Sequence, residues 1–254
     1  MMISHGRLGR SKGVKDLSLE LAEVIGHLAI MNRFPVEPLG GESPDAALLR
    51  AGVLVGDRIC GICDAESGEP LTPESAPRLL AFSVRYVEDL VAEEFERWAR
   101  VRTPSGREYP LADPEWLGEI EKAVGRPGRL CPPPAGESRP IHLISRPTLR
   151  LAERTYGVPL ERQRVRANLI VELPEGKAFD EHGWIGHKIR IGDALLEITG
   201  GSLRCVVTSA SEKGGGDADL LAGLATVRGG HLGVTARAVE GHRVRGGDPV
   251  VLVD

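Results

Sequence analysis

The chain has 254 residues, a net charge of −4, 41% hydrophobic and 27% charged residues, a composition that excludes wholesale disorder and a fibrous architecture. The negative balance argues against nucleic acid as a partner, since phosphate binding needs a basic surface; an aromatic content of 4% also leaves few rings for stacking bases. The apolar stretch Val24 to Met31 is broken by Gly26 and His27 and is far too short to span a bilayer. It follows mixed charges rather than a basic n-region, so no signal peptide is read, no membrane partner is expected, and the expected location is cytoplasmic. Cys60, Cys63, Cys131 and Cys205 are too few and too scattered for a disulfide-stapled secreted framework and are read as reduced thiols.

Residues 1–22 carry Gly6, Gly9 and Gly13 among Arg7, Arg10, Lys12 and Lys15 without hydrophobic periodicity, and are expected to form a mobile leader. A β-rich unit over 23–128 follows. Val24 to Phe34 reads as a strand closed by Pro35, Val53 to Asp64 as a second and Leu79 to Tyr86 as a third. Val87, Leu90, Val91, Phe95 and Trp98 fall at helical spacing. Pro104-Ser105-Gly106 turns a hairpin between Val101 to Thr103 and Arg107 to Leu111. Asp113-Pro114-Glu115 opens a helix over 114–124 that Gly125 stops.

Pro132-Pro133-Pro134 favours extended geometry, so residues 129–139 read as a linker and the domain boundary is placed there. In the second unit, 140–254, Ile141 to Ile144 is a strand and Ser145 caps a helix running to Tyr156. Val165 to Leu173 is read as a strand, Lys188 to Ile198 as a hairpin around Gly192-Asp193, and Val206-Val207, Leu232 to Val239 and Pro249 to Val253 as further strands. Leu220, Leu221 and Leu224 after Asp217 suggest one more helix. The expected fold is mainly β with a few short helices: a β-barrel domain preceded by a second, barrel-like one.

Cys205 is the candidate reactive residue. Flanked by Arg204 and following Gly200-Gly201, it has the setting in which a thiolate is stabilised and a ligand can approach the backbone; a small buried hydrophobe is the other reading of a lone cysteine on a strand. Arg164 and Arg166 alternate about Val165, so on a strand they project from one face and either grip an anion jointly or form a solvated edge. Cys60-Gly61-Ile62-Cys63 does not read as a metal or dithiol motif, because residues three apart on a strand point to opposite faces and no second cysteine pair completes a site. His142 and His231 are read as structural, and no His-x-x-x-His spacing specifies a metal.

Arg164-Val165-Arg166-Ala167-Asn168, Trp184-Ile185-Gly186, Ile191-Gly192-Asp193, Arg204-Cys205 and Gly247-Asp248-Pro249-Val250 occur in an order and spacing that resemble the MOSC family. Upstream, Arg33-Phe34-Pro35-Val36, Gly41-Glu42, Gly56-Asp57-Arg58, Leu71-Thr72 and Pro77-Arg78-Leu79 resemble the β-barrel domain that commonly precedes it. The resemblance implies that Cys205 ligates a molybdenum bound to a pterin dithiolene, a soft centre suited to thiolate, while Arg58, Arg164, Arg166, Asn168 and Arg204 hold the cofactor. It also implies the reduction of N-hydroxylated compounds or, in related members, sulfur carried on the same cysteine.

The chain departs from the family pattern where that pattern binds phosphate. Glu37-Pro38 stands in place of Lys-Ser, and Glu74 replaces a basic residue after Leu71-Thr72; both reversals repel the anion that lysine or arginine attracts. Ala167 replaces a proline, and Ser209-Ala210-Ser211 stands where an aspartate is usual. Three functions follow as expectations. The first is a molybdenum-dependent reductase, drawing electrons from a separate partner because no iron–sulfur module follows Asp254. The second is a sulfur carrier or transferase working through a Cys205 persulfide. The third is a repurposed barrel that binds a small-molecule ligand without molybdenum. Glu37 and Glu74 are expected to face one cleft with Cys205.

Overall fold

The computed structural model describes residues 23–87, 99–133, 139–156, 159–160, 162–203 and 228–253. Its strands in chain order are β1 (Val24–Met31), β2 (Val36–Glu37), β3 (Ala46–Arg50), β4 (Val53–Leu54), β5 (Cys60–Asp64), β6 (Ser83–Tyr86), β7 (Ala99–Arg102), β8 (Glu108–Pro110) and β9 (Gly128–Cys131). They continue with β10 (Ile141–Ser145), β11 (Leu169–Glu172), β12 (Lys188–Ile191), β13 (Ala194–Leu203), β14 (His231–Glu240), β15 (Arg243–Arg245) and β16 (Pro249–Val253). Helical segments are short, so the fold is mainly β.

Seven strands close a barrel in the order β1-β11-β10-β14-β13-β12-β16, with β16 returning to β1. Only β10 and β11 run parallel within it; the other neighbours are antiparallel. Closure removes sheet edges, and the two-residue period of the strands sorts side chains into an inside and an outside. Leu143, Leu169 and Val171 point into the interior with Ile189, Leu196, Val234 and Val250. Ile144 and Ile170, one residue out of phase, join a separate cluster with Ala152, Val165 and Leu232. The helix Arg146–Tyr156 supplies Ala152 to that outer cluster. Ser145 caps it, its hydroxyl oxygen accepting from the Thr148 N–H at 3.3 Å.

The first strand, which lies in the stretch expected to form the upstream unit, is part of this barrel. β1 pairs with β11 and β16, and β15 crosses back to pair with β3. Gly26 makes the first arrangement possible, since a Cβ there would stand 2.2 Å from the Glu172 carbonyl oxygen at the point where the register of β1 shifts. Among the described residues, the upstream ones form no closed barrel of their own. They build a second core from the sheets β2-β5-β9 and β6-β7-β8, packed around Leu39, Leu79, Phe82, Trp116 and Ile120.

Several local expectations are met and others revised. Asp113 caps the turn Pro114–Trp116 by accepting from the Glu115 N–H at 2.9 Å, and Gly125, at φ 78°, ends the helix Leu117–Val124. The hairpin about Gly106 is β7-β8. The stretch Val53 to Asp64 is two strands, because the turn at Gly56-Asp57-Arg58 interrupts it. Leu79 belongs to the 3-10 turn Pro77–Ala81, and only Ser83–Tyr86 is extended. Gly128–Cys131, expected in the linker, is β9 and pairs with β5. Its Cys131 is disulfide-bonded to Cys63, which overturns the reading of all four cysteines as thiols; a scattered pair is enough once two strands bring it into reach. Cys60, on the opposite face of β5, is a buried member of the second core. The leader 1–22, the helix expected across 88–98, the strand Val206-Val207 and the helix after Asp217 lie outside the described residues.

Candidate functional site

Two turns of unusual backbone bring the candidate arginines together. At the first, Gly56 (φ 79°) and Arg58 (φ 48°) reverse the chain ahead of β5. The Asp57 carboxylate accepts from the Phe34 N–H at 2.7 Å, and the Arg58 N–H donates to the Phe34 carbonyl at 2.8 Å. At the second, the short helix Arg162–Val165 ends where the Arg166 N–H donates to the Arg162 carbonyl at 2.8 Å, with Arg166 at φ 51°. A left-handed conformation costs a residue with a Cβ roughly 1–2 kcal/mol. Such strain concentrates at functional sites and persists only where neighbours fix the geometry.

Here the neighbours do so. The Arg166 guanidinium stacks over the Phe34 ring at 4.3 Å, and its Nη1 donates to the Leu39 carbonyl at 2.8 Å. Arg58 donates from Nη1 to the Asn168 side-chain oxygen at 3.3 Å and from Nη2 to the Arg166 carbonyl at 3.4 Å. The same Asn168 oxygen accepts from the His142 N–H at 3.0 Å, while its amide donates to the Asn32 carbonyl at 3.3 Å. Asn168 therefore ties the Arg58 turn to β10 and to the chain just beyond β1.

The charges balance within the cluster. Arg58 pairs with Asp57, and Glu37 spans both guanidiniums, with Oε2 3.2 Å from Arg58 Nε and Oε1 3.6 Å from Arg166 Nη2. The arginine side chains are 18% and 4% exposed, but Glu37 is 42% exposed. Burial acts to lower the Arg58 pKa, yet Asp57 and Glu37 outweigh it and hold the pKa raised. Burial prevails at Arg166 and lowers its pKa, with Glu37 offsetting part of the loss. Both side chains remain cations, since arginine keeps its proton in proteins.

Of the residues singled out in the sequence, Arg58, Arg166 and Asn168 thus converge. Arg164 is a half-buried member of the helix Arg162–Val165, so the expected strand alternation with Arg166 does not hold. The positive φ at Arg166 lets two arginines two residues apart take different surroundings. Arg204 and Cys205 lie outside the described residues, as do Ser209, Ala210 and Ser211, and so does the expectation of a shared cleft with Cys205. Glu74 is exposed in the turn at Thr72–Ser75, and the carboxylates acting on Arg58 and Arg166 are Asp57 and Glu37. Asp57 was visible in the sequence only as a neighbour of Arg58. Its burial could not be read there. Phe34 lacks any chemical signature for its role as a stacking platform.

Other polar features lie elsewhere. His142 is buried, with Nε2 2.9 Å from the Leu232 carbonyl, consistent with its structural reading. An open groove of about 730 Å³ is lined by Glu23, Ile25, His27, Leu173, Asp180 and Trp184 among others, apart from the arginine cluster. Among the described residues no group of three His, Cys, Asp or Glu side chains is placed to hold a metal, and no helix is long and apolar enough to cross a membrane.

A closed barrel of seven mixed strands, with a charged cluster where the upstream sheets meet it, defines a mainly β protein built on one barrel. The family model described as MOSC domain matches residues 133–251, so that stretch of the chain is a MOSC domain. No curated protein matches the chain. Among solved structures, YiiM from Geobacillus stearothermophilus is 18% identical over 45% of this chain and 54% of its own, with a TM-score of 0.37. The chain therefore spans about half the length of that relative. The YuaD protein from Bacillus subtilis is 13% identical over 89% of this chain and 93% of its own, with a TM-score of 0.48.

MOSC domains are associated with a molybdenum-pterin cofactor, and the phosphate end of that group can be tested against the residues present. It does not fit them. Arg58 and Arg166 already face Asp57 and Glu37 in a group of two cations and two carboxylates. An added negative charge about 4 Å from Glu37 would meet a repulsion of about 4 kcal/mol per unit charge near a protein surface.

Proposed function

We propose that this MOSC-domain protein is a sulfur carrier or transferase in which Cys205 accepts a sulfane sulfur, without a phosphate-anchored pterin. One observation carries the reading: Glu37 spans the two arginines that a cofactor phosphate would need. Arg204, next in sequence, supplies a positive charge that favours a thiolate at Cys205. In the transfer, the Cys205 thiolate attacks the terminal sulfur of a donor persulfide. A new S–S bond forms at Cys205, the donor S–S bond breaks, and the donor leaves as a thiolate. The exchange needs no outside oxidant or reductant.

The test is mass spectrometry of the purified protein after incubation with glutathione persulfide. The peptide carrying Cys205 should gain one sulfur atom, and Cys205→Ser should abolish the gain. Stoichiometric molybdenum and pterin in the unmodified protein would overturn the reading. They would favour the molybdenum-dependent reductase, with Cys205 as metal ligand and a separate electron donor, for which the convergence of Arg58, Arg166 and Asn168 speaks.

A further inference from the structure

Arg166 is balanced in charge but not in hydrogen bonds. Its Nη1 donates to Leu39, but its Nε and Nη2 are buried without an acceptor among the described residues. Glu37 Oε1, at 3.6 Å from Nη2, is too distant to accept. Nε and the Nη beyond it form the side-on fork through which arginine grips carboxylate or phosphate with two parallel bonds. Glu37 stands beside that fork at Nη2, and Arg58 Nε lies 3.2 Å from the same carboxylate. The Glu37 side chain is the most exposed of the group, so it can turn into water without unpacking the core. Two arginines held at positive φ are more than a surface ion pair would need.

We infer that Glu37 is a specificity gate: its carboxylate fills, as an internal counter-ion, an oxyanion seat on Arg58 and Arg166, which admits phosphate-bearing ligands only when that charge is removed. The inference deepens the proposed function in one respect, the closure of the arginine pair to phosphate, and makes no use of Cys205. It assigns Glu37 a positive role in ligand choice, which mere loss of a phosphate site does not.

The experiment is a phosphate titration of the full chain and its Glu37→Gln variant, at matched ionic strength with chloride as control, read by thermal unfolding and calorimetry. Glu37→Gln removes the counter-ion from a buried Arg166, so its Tm should fall in chloride and recover with inorganic phosphate in a saturable way. The unmodified protein should bind phosphate at least tenfold more weakly. Glu37→Gln combined with Arg166→Gln should lose the recovery. If Glu37→Gln does not fold in chloride, folding restored by inorganic phosphate at matched ionic strength is the expected result, and failure to fold in both salts overturns the inference. Equal phosphate affinity in the unmodified and variant proteins, or none in either, overturns the inference. Sulfur loading at Cys205 is measured separately, so a failed persulfide assay and a failed phosphate titration are distinguishable.

Discussion

Glu37 and Glu181 show two ways of handling a carboxyl group, and the difference separates a candidate site from scaffold. Glu181, fully buried in the turn Asp180–Trp184, accepts from the Ser145 N–H at 3.2 Å, the Ser145 hydroxyl at 2.7 Å and the Thr148 hydroxyl at 2.9 Å. Every partner is neutral, the geometry is short, and the result locks that turn onto the start of the helix Arg146–Tyr156. Glu37 faces two cations at longer range, is partly in water, and leaves two Arg166 donors unmet. A network whose hydrogen bonds are made holds structure; one whose charges balance while its donors stay open is poised to take another partner.

Removing the central cation should have the largest effect. Arg166→Ala deletes the stacking on Phe34, orphans the Leu39 carbonyl and leaves Glu37 with Arg58 alone. A loss of about 3 kcal/mol is expected in denaturant unfolding. A loss below about 1 kcal/mol would mean the cluster is an ordinary surface ion pair. Glu181→Ala comes next, at about 2 kcal/mol, because the Ser145 N–H is left buried without its acceptor while the two hydroxyls can still pair with each other. Phosphate should restore nothing in Glu181→Ala. If it did, the contrast between seat and scaffold would fail.

The sequence made the barrel strands legible wherever apolar residues alternate between turn signals, as at Lys188 to Ile198 and Pro249 to Val253. It also pointed to Arg58, Arg166 and Asn168 through collinear motifs. It could not show that β1 closes a barrel whose other strands begin more than a hundred residues later, since strand pairing over such a separation leaves no local mark. Nor could a two-residue period show that Arg166 takes a positive φ and so leaves the face assigned to Arg164. The disulfide was missed for the same reason as the β1 pairing: Cys63 and Cys131 are 68 residues apart and meet only because β5 and β9 pair. The sequence reading took Glu37 as a charge reversal, but that it reaches both arginines depends on β2 lying beside β5.

The smallest effect sharpens the comparison from a third carboxylate. Asp64 Oδ1 accepts from the Glu66 N–H at 2.9 Å and the Ser67 N–H at 3.1 Å, closing the turn after β5, while Arg126 stands 3.7 Å from its other oxygen. Those backbone hydrogen bonds, first Ser67 and then Glu66, hold its pKa below the ordinary aspartate value. A depressed carboxylate stabilises the folded state above its unfolded pKa, and that contribution is lost as pH falls through the folded pKa. The acid limb of the stability curve should therefore carry a component from Asp64 that lies below the usual aspartate range. Asp64→Asn keeps an oxygen to accept the two N–H bonds but cannot ionise, so in urea unfolding from neutral to acid pH its curve should be flatter. At neutral pH the stability change in Glu37→Gln should depend on salt through its ion pairs, whereas that in Asp64→Asn should respond little, because backbone donors are not screened as mobile charges are. An equal salt response in the two variants would show that the distinction between ionic and backbone-held carboxylates does not govern this protein's stability.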